Sequence, residues 1–179
     1  MDSKQRYVDY KERYISEIDA RFKIDASLKA PPGLFLIVFA LLAFIFNQTI
    51  AEETVPNDFW FWILYSLAGI FFTIALAFYA KAIYGYTYAL IPTPQELENY
   101  FNQLVNYYSE HFDNDSEKQA EEAFEKYMET CYLEYATQNT KNNDTKLLNL
   151  SRCVGSIICA FVLACITYLP LYAFVLKGE

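Results

Sequence analysis

Histidine is nearly absent from this 179-residue chain, with His111 alone, and glycine and cysteine are scarce at five and four. One imidazole leaves no His-based triad and few ways to hold a metal, since both need convergent ligands. Five glycines, none in a Gly-rich run, provide no loop to cradle phosphates. The cysteines form no obvious framework: Cys153, Cys159 and Cys165 stand six apart, and six residues turn a helix by about 240°, so they share no face. Cys131 falls on an apolar helical stripe and reads as packing. Cations are also few. Lys and Arg number 14 against 22 Asp and Glu, a net charge of -8, which argues against direct binding of nucleic acid, because phosphate contacts need basic side chains. No catalytic, cofactor-binding or metal-binding residue is assigned, and no enzyme activity is expected.

Charge is missing altogether from three stretches, Leu34 to Phe46, Phe59 to Ala80 and Cys153 to Leu176, of 13, 22 and 24 residues. The two longer ones suffice, at about 1.5 Å per residue, to cross about 30 Å of hydrocarbon as helices. Extending the first from Gly33 through Ala51 lengthens it to about 28 Å, long enough to count as a third span. The expectation is an all-α membrane protein with an N-terminal cytoplasmic helix at 1–32, spans at 33–51, 59–80 and 153–176, an external acidic loop at 52–58, a cytoplasmic helical domain at 81–152 and an external tail at 177–179. A signal peptide is not expected, because about 30 polar residues precede the first span. Lys and Arg set the orientation: seven lie in residues 1–33 and six between Lys81 and Arg152, but none between Asn47 and Asp58. By that count the N-terminus is expected on the cytoplasmic side and the C-terminus on the outer side.

Ser3 to Leu28 reads as an amphipathic helix with Val8, Ile15 and Phe22 at heptad spacing and Tyr7, Tyr14 and Ile18 beside them, ended by Pro31, Pro32 and Gly33. Such a helix packs on the cytoplasmic domain or lies on headgroups; over residues 1–33, six acids against seven bases favour the first. Thr93-Pro94-Gln95-Glu96 combines an N-cap, a first-turn proline and a capping-box glutamate. The helix it starts ends near His111. Ser116 opens a second helix whose stripe of Ala120, Phe124, Tyr127, Cys131 and Tyr135 can face Leu97, Phe101, Leu104 and Tyr108, making an antiparallel hairpin. Gln138 to Thr145 reads as a polar linker, and Lys146 to Leu176 as a separate long helix. Glu96, Tyr100, His111 and Glu121 are candidates for a partner surface.

Small and weakly polar residues recur at helical spacing in two spans: Ser66, Gly69, Thr73 and Ala77, then Ser156, Ala160, Ala164 and Thr167. In lipid such stripes pack helices closely, or line a pore between subunits, because three spans enclose no useful lumen. Pro170 is a candidate kink or gate.

The run Tyr84-Gly85-Tyr86, with Ile91-Pro92-Thr93-Pro94-Gln95-Glu96-Leu97-Glu98-Asn99-Tyr100 after it, resembles small bacterial three-pass membrane effectors of antiphage defence operons. Among these it resembles the membrane component of the Hailong system. The resemblance implies a homo-oligomeric channel, held closed by a cytoplasmic regulatory protein such as a nucleotidyltransferase and opened on infection. Nucleic acid would then be reached only through the partner. The alternative is a non-conducting membrane anchor or adaptor that presents its cytoplasmic helices to a partner.

Overall fold

The computed structural model describes residues 3–51, 59–111 and 115–177, and every regular element among them is helical: α1 (Ser3–Ser27), α2 (Pro31–Ala51), α3 (Phe59–Ile83), α4 (Pro94–His111) and α5 (Ser116–Lys177). Three helices are long and apolar enough to cross a membrane. The acidic loop expected at 52–58, residues 178–179 of the tail and the side chain of Pro170 lie outside what is described. The chain divides into a polar unit, Met1–Lys23 with Tyr86–Asp144, and an apolar unit, Ile24–Gly85 with Thr145–Glu179.

In the apolar unit the buried positions repeat three and four residues apart. They are Pro31, Phe35, Val38, Leu42, Ile45 and Thr49 on α2, and Cys153, Ile157, Ala160, Ala164 and Thr167 on α5. This is the seam of left-handed helix packing. On α3 the buried positions are seven apart, Phe61, Ala68, Ala75 and Ala82, and three of the four are alanine, which lets the helices approach closely. Lipid tails are as apolar as the seam, so in a bilayer close packing and buried hydrogen bonds hold it together more than the hydrophobic effect. Tyr65 donates its hydroxyl to the Leu42 carbonyl at 3.2 Å and Tyr79 to the Leu28 carbonyl at 3.1 Å. Phe35 sits edge-on to Phe72 and Tyr79. Lys146, buried on the same register of α5, pairs with Asp25.

In the polar unit α4 lies against the start of α5 as the hairpin pattern predicts, with Phe101 edge-on to Phe124 at 5.6 Å and Tyr100 on Tyr127 at 4.5 Å. The buried positions of α5 here are Ala120, Met128, Cys131, Tyr132 and Ala136, followed by Asn139 and Asn143.

Three expectations change. Pro31 and Pro32 open α2 rather than merely closing α1; proline tolerates a first turn because its missing N–H would be unsatisfied there anyway. The inward face of α1 is Tyr7, Tyr14 and Glu17, whereas Val8, Ile15 and Phe22 remain exposed. Tyr7 and Tyr14 win that competition through ring contacts with Tyr132 at 5.5 and 5.8 Å, and through the polar bonds described below. Finally, Gln138 to Thr145 is no linker: α5 is a single 62-residue helix that continues through it. Asparagine and threonine favour turns because their side chains compete locally for the backbone. Here Asn139, Asn142 and Asn143, with Gln138 beside them, are engaged by remote partners instead.

Candidate functional site

Between α3 and α4 the chain runs without regular structure from Tyr84 to Thr93, leaving α3 through Gly85 at φ 94°, a left-handed conformation that favours glycine. From Thr87 to Ile91 alternate residues turn their backbone groups toward α5 and α1, as a strand edge would. Asn139, fully buried, accepts from the Ala89 N–H and donates to the Ala89 carbonyl, both at 3.0 Å. Gln138 and Asn142 both donate to the Thr87 carbonyl, at 3.1 and 2.8 Å. The Ile91 N–H donates to the Tyr14 hydroxyl at 3.2 Å. Side-chain amides thus supply the hydrogen bonds a neighbouring strand would give.

Asn143 completes the clamp. Its amide donates to the Glu17 carbonyl and carboxylate at 2.8 and 2.9 Å and accepts from the Tyr88 hydroxyl at 2.8 Å. Glu17 is buried and paired with Arg13 at 2.7 Å, and the Arg21 guanidinium lies 4.3 Å from the centre of the Tyr88 ring. Sequence reading missed this cluster because the asparagines look like a linker. One signal was available: Asn139, Asn143 and Lys146 continue, N-terminally, the same three-and-four spacing as Leu150, Cys153 and Ile157.

Tyr132 and Tyr127 are phenols pushed up to about 12, the first mainly by burial and then by Tyr7, the second mainly by its hydrogen bond with Cys131 and then by burial. Burial also raises Tyr135. Groups that stay protonated at neutral pH act as hydrogen-bond donors in a core, not as bases.

Each candidate partner residue has a distinct place. Glu96 completes the capping box, accepting from the Thr93 N–H and hydroxyl at 2.8 Å each. These bonds hold its carboxyl below the usual range, the backbone bond first. A depressed carboxyl stabilises the fold above its unfolded pKa and loses that contribution as pH falls through the folded value. Acidification should therefore reduce hydrogen-exchange protection at Leu97, whose N–H donates to the Thr93 carbonyl, once intrinsic rates are corrected. Glu96→Gln keeps the cap and should flatten that dependence. Tyr100 is drawn into the α4–α5 contact. His111 is exposed, stacked on Tyr107 with its Nδ1 2.8 Å from the Tyr107 carbonyl. Glu121 lies on the rim of a cleft of about 940 Å³ bounded by α1, α4 and α5. The four residues are not brought together.

The two small-residue stripes also part. Ala160, Ala164 and Thr167 are buried in the seam with Ser156 half-buried beside them, and the Thr167 hydroxyl donates to the Leu163 carbonyl. Ser66, Thr73 and Ala77 are exposed, Gly69 is half-buried, and the Thr73 hydroxyl donates to the Gly69 carbonyl at 2.9 Å. Among the described residues no group of three or more metal-binding side chains converges. No protein-family model, curated protein or solved structure matches the chain.

Proposed function

We propose that this chain is the membrane effector of a bacterial antiphage defence system: an oligomeric channel in the inner membrane, held shut by a cytoplasmic partner and opened on infection to depolarise the cell. The observation that carries the channel reading is the uncovered face of α3. Among the described residues the apolar unit fills its own seam with side chains such as Ala68, Ala75, Ile157 and Ala164. Ser66, Gly69, Thr73 and Ala77 remain for contact between copies, where hydroxyls can line a wetted path. The defence role and the nature of the partner, a nucleotidyltransferase whose nucleic-acid product the partner itself holds, rest on the resemblance of Tyr84 to Tyr100 to such effectors. Gating is then a population shift: a partner that binds the closed form more tightly keeps the channel closed, and its loss releases it.

A second reading, a non-conducting anchor that presents the polar unit to a partner, is favoured by the apolar seam and by spans free of Asp, Glu, Lys, Arg and His. One experiment separates the two. Membrane potential is followed by dye in bacteria expressing the chain with and without its neighbouring gene, for the natural spans and for spans replaced by an unrelated three-helix anchor. Depolarisation that the neighbour suppresses and the replacement abolishes supports the channel. Activity retained after replacement refutes it in favour of the anchor.

A further inference from the structure

The cleft of the polar unit has an apolar floor and an acidic rim. Val8, 45% exposed, approaches it from α1, Phe101 from α4, and Phe124 and Met128 from α5. Along α5 the carboxylates of Glu121, Glu125 and Glu129 follow one another at i, i+4 and i+8, so they form one edge, with Glu122 next to it. Glu129 is engaged by Arg6 at 3.5 Å. Among the described residues Glu121, Glu122 and Glu125 have no cationic partner. Lys126 also lines the cleft, so its charged lining is Glu121, Glu122, Glu125 and Glu129 against Arg6 and Lys126, and the rim stays net acidic.

An apolar floor with a one-sided acidic edge matches a helix whose apolar stripe is flanked by Lys or Arg. We infer that this cleft is the docking site of a basic amphipathic helix from a partner protein, which lays its apolar side chains on Val8, Phe101, Phe124 and Met128 and its cations along Glu121, Glu122 and Glu125. This rests on the reading above that a cytoplasmic partner controls the protein, and it gives that partner's contact a chemistry. A second copy of this chain is a poor occupant by charge, since each copy carries -8. Nucleic acid is excluded more strongly, because the rim would face its phosphates.

The test uses the full chain in zwitterionic lipid nanodiscs and two fluorescent probe peptides, an amphipathic Leu/Lys helix and its Leu/Glu counterpart, with binding to empty discs subtracted. The Leu/Lys peptide should bind and the Leu/Glu peptide should not. Its affinity should fall about tenfold or more, equivalent to about 1.4 kcal/mol, in Val8→Asp and separately in Glu121→Lys/Glu125→Lys. Glu98→Lys/Glu110→Lys changes net charge equally but lies on α4 outside the cleft lining, and should leave affinity within about twofold. Equal weakening by the α4 pair would reduce the effect to net charge and overturn the inference, as would equal binding of both peptides, binding no stronger than to empty discs, or indifference to both cleft variants. The readout does not involve conduction, so a non-conducting anchor could still pass it and a channel could still fail it.

Discussion

Asn139→Leu is expected to release the segment between α3 and α4 and to destabilise the polar unit by about 2–6 kcal/mol, because it orphans the N–H and carbonyl of the half-buried Ala89 together, at about 1–3 kcal/mol for each group left without a partner. Leucine has asparagine's heavy-atom count and branching and is not smaller, so no cavity is opened and the polar loss is one of hydrogen bonding. The companion change Asn142→Ala should cost far less, about 1 kcal/mol or below, since Gln138 also donates to the Thr87 carbonyl. Hydrogen exchange at the Ala89 amide, with unfolding followed by tyrosine fluorescence, measures both. Similar, small effects for the two variants would mean that the segment is held by its side chains instead.

That contrast shows where sequence was informative and where it was not. The three apolar runs are visible because a span's requirement is local: about 20 residues without charge suffice. The start of α4 is equally local, as Thr93 and Glu96 cap each other across three positions. The clamp is different. Asn139 and Asn142 find partners 50 and 55 positions away, and Asn143 meets Glu17 across 126. A polar run whose partners are that remote has the composition of a linker until the fold supplies them. The same holds for α1: Val8, Ile15 and Phe22 form the cleaner apolar pattern, yet tyrosine and glutamate are turned inward because only they can meet both the ring of Tyr132 and the amide of Asn143. The cleft was half legible. Glu121, Glu122 and Glu125 look like an ordinary solvated face of a helix, and only the approach of Val8 and Phe101 gives that face a floor.

The sharpest separation of packing from conduction comes from two positions in one turn of α3. Ala75 is fully buried in the apolar cluster, and Ala75→Phe inserts a ring at a position with no exposure, so it should destabilise the apolar unit by about 1–3 kcal/mol or more. Thr73 is exposed, and its hydroxyl bonds only to its own helix at Gly69. Thr73→Phe therefore breaks no contact between helices of one chain, and its cost to the folded protomer should stay within about 0.5 kcal/mol. Graded unfolding in mixed micelles checks the first pair of numbers, and ion flux from liposomes checks the consequence. If α3 faces a path between copies, Thr73→Phe alters flux strongly in a protein of unchanged stability. Flux that tracks stability across both variants would place the whole effect in the seam and leave Ser66 and Thr73 as lipid-facing residues, because a pore wall must respond to bulk even where the fold does not.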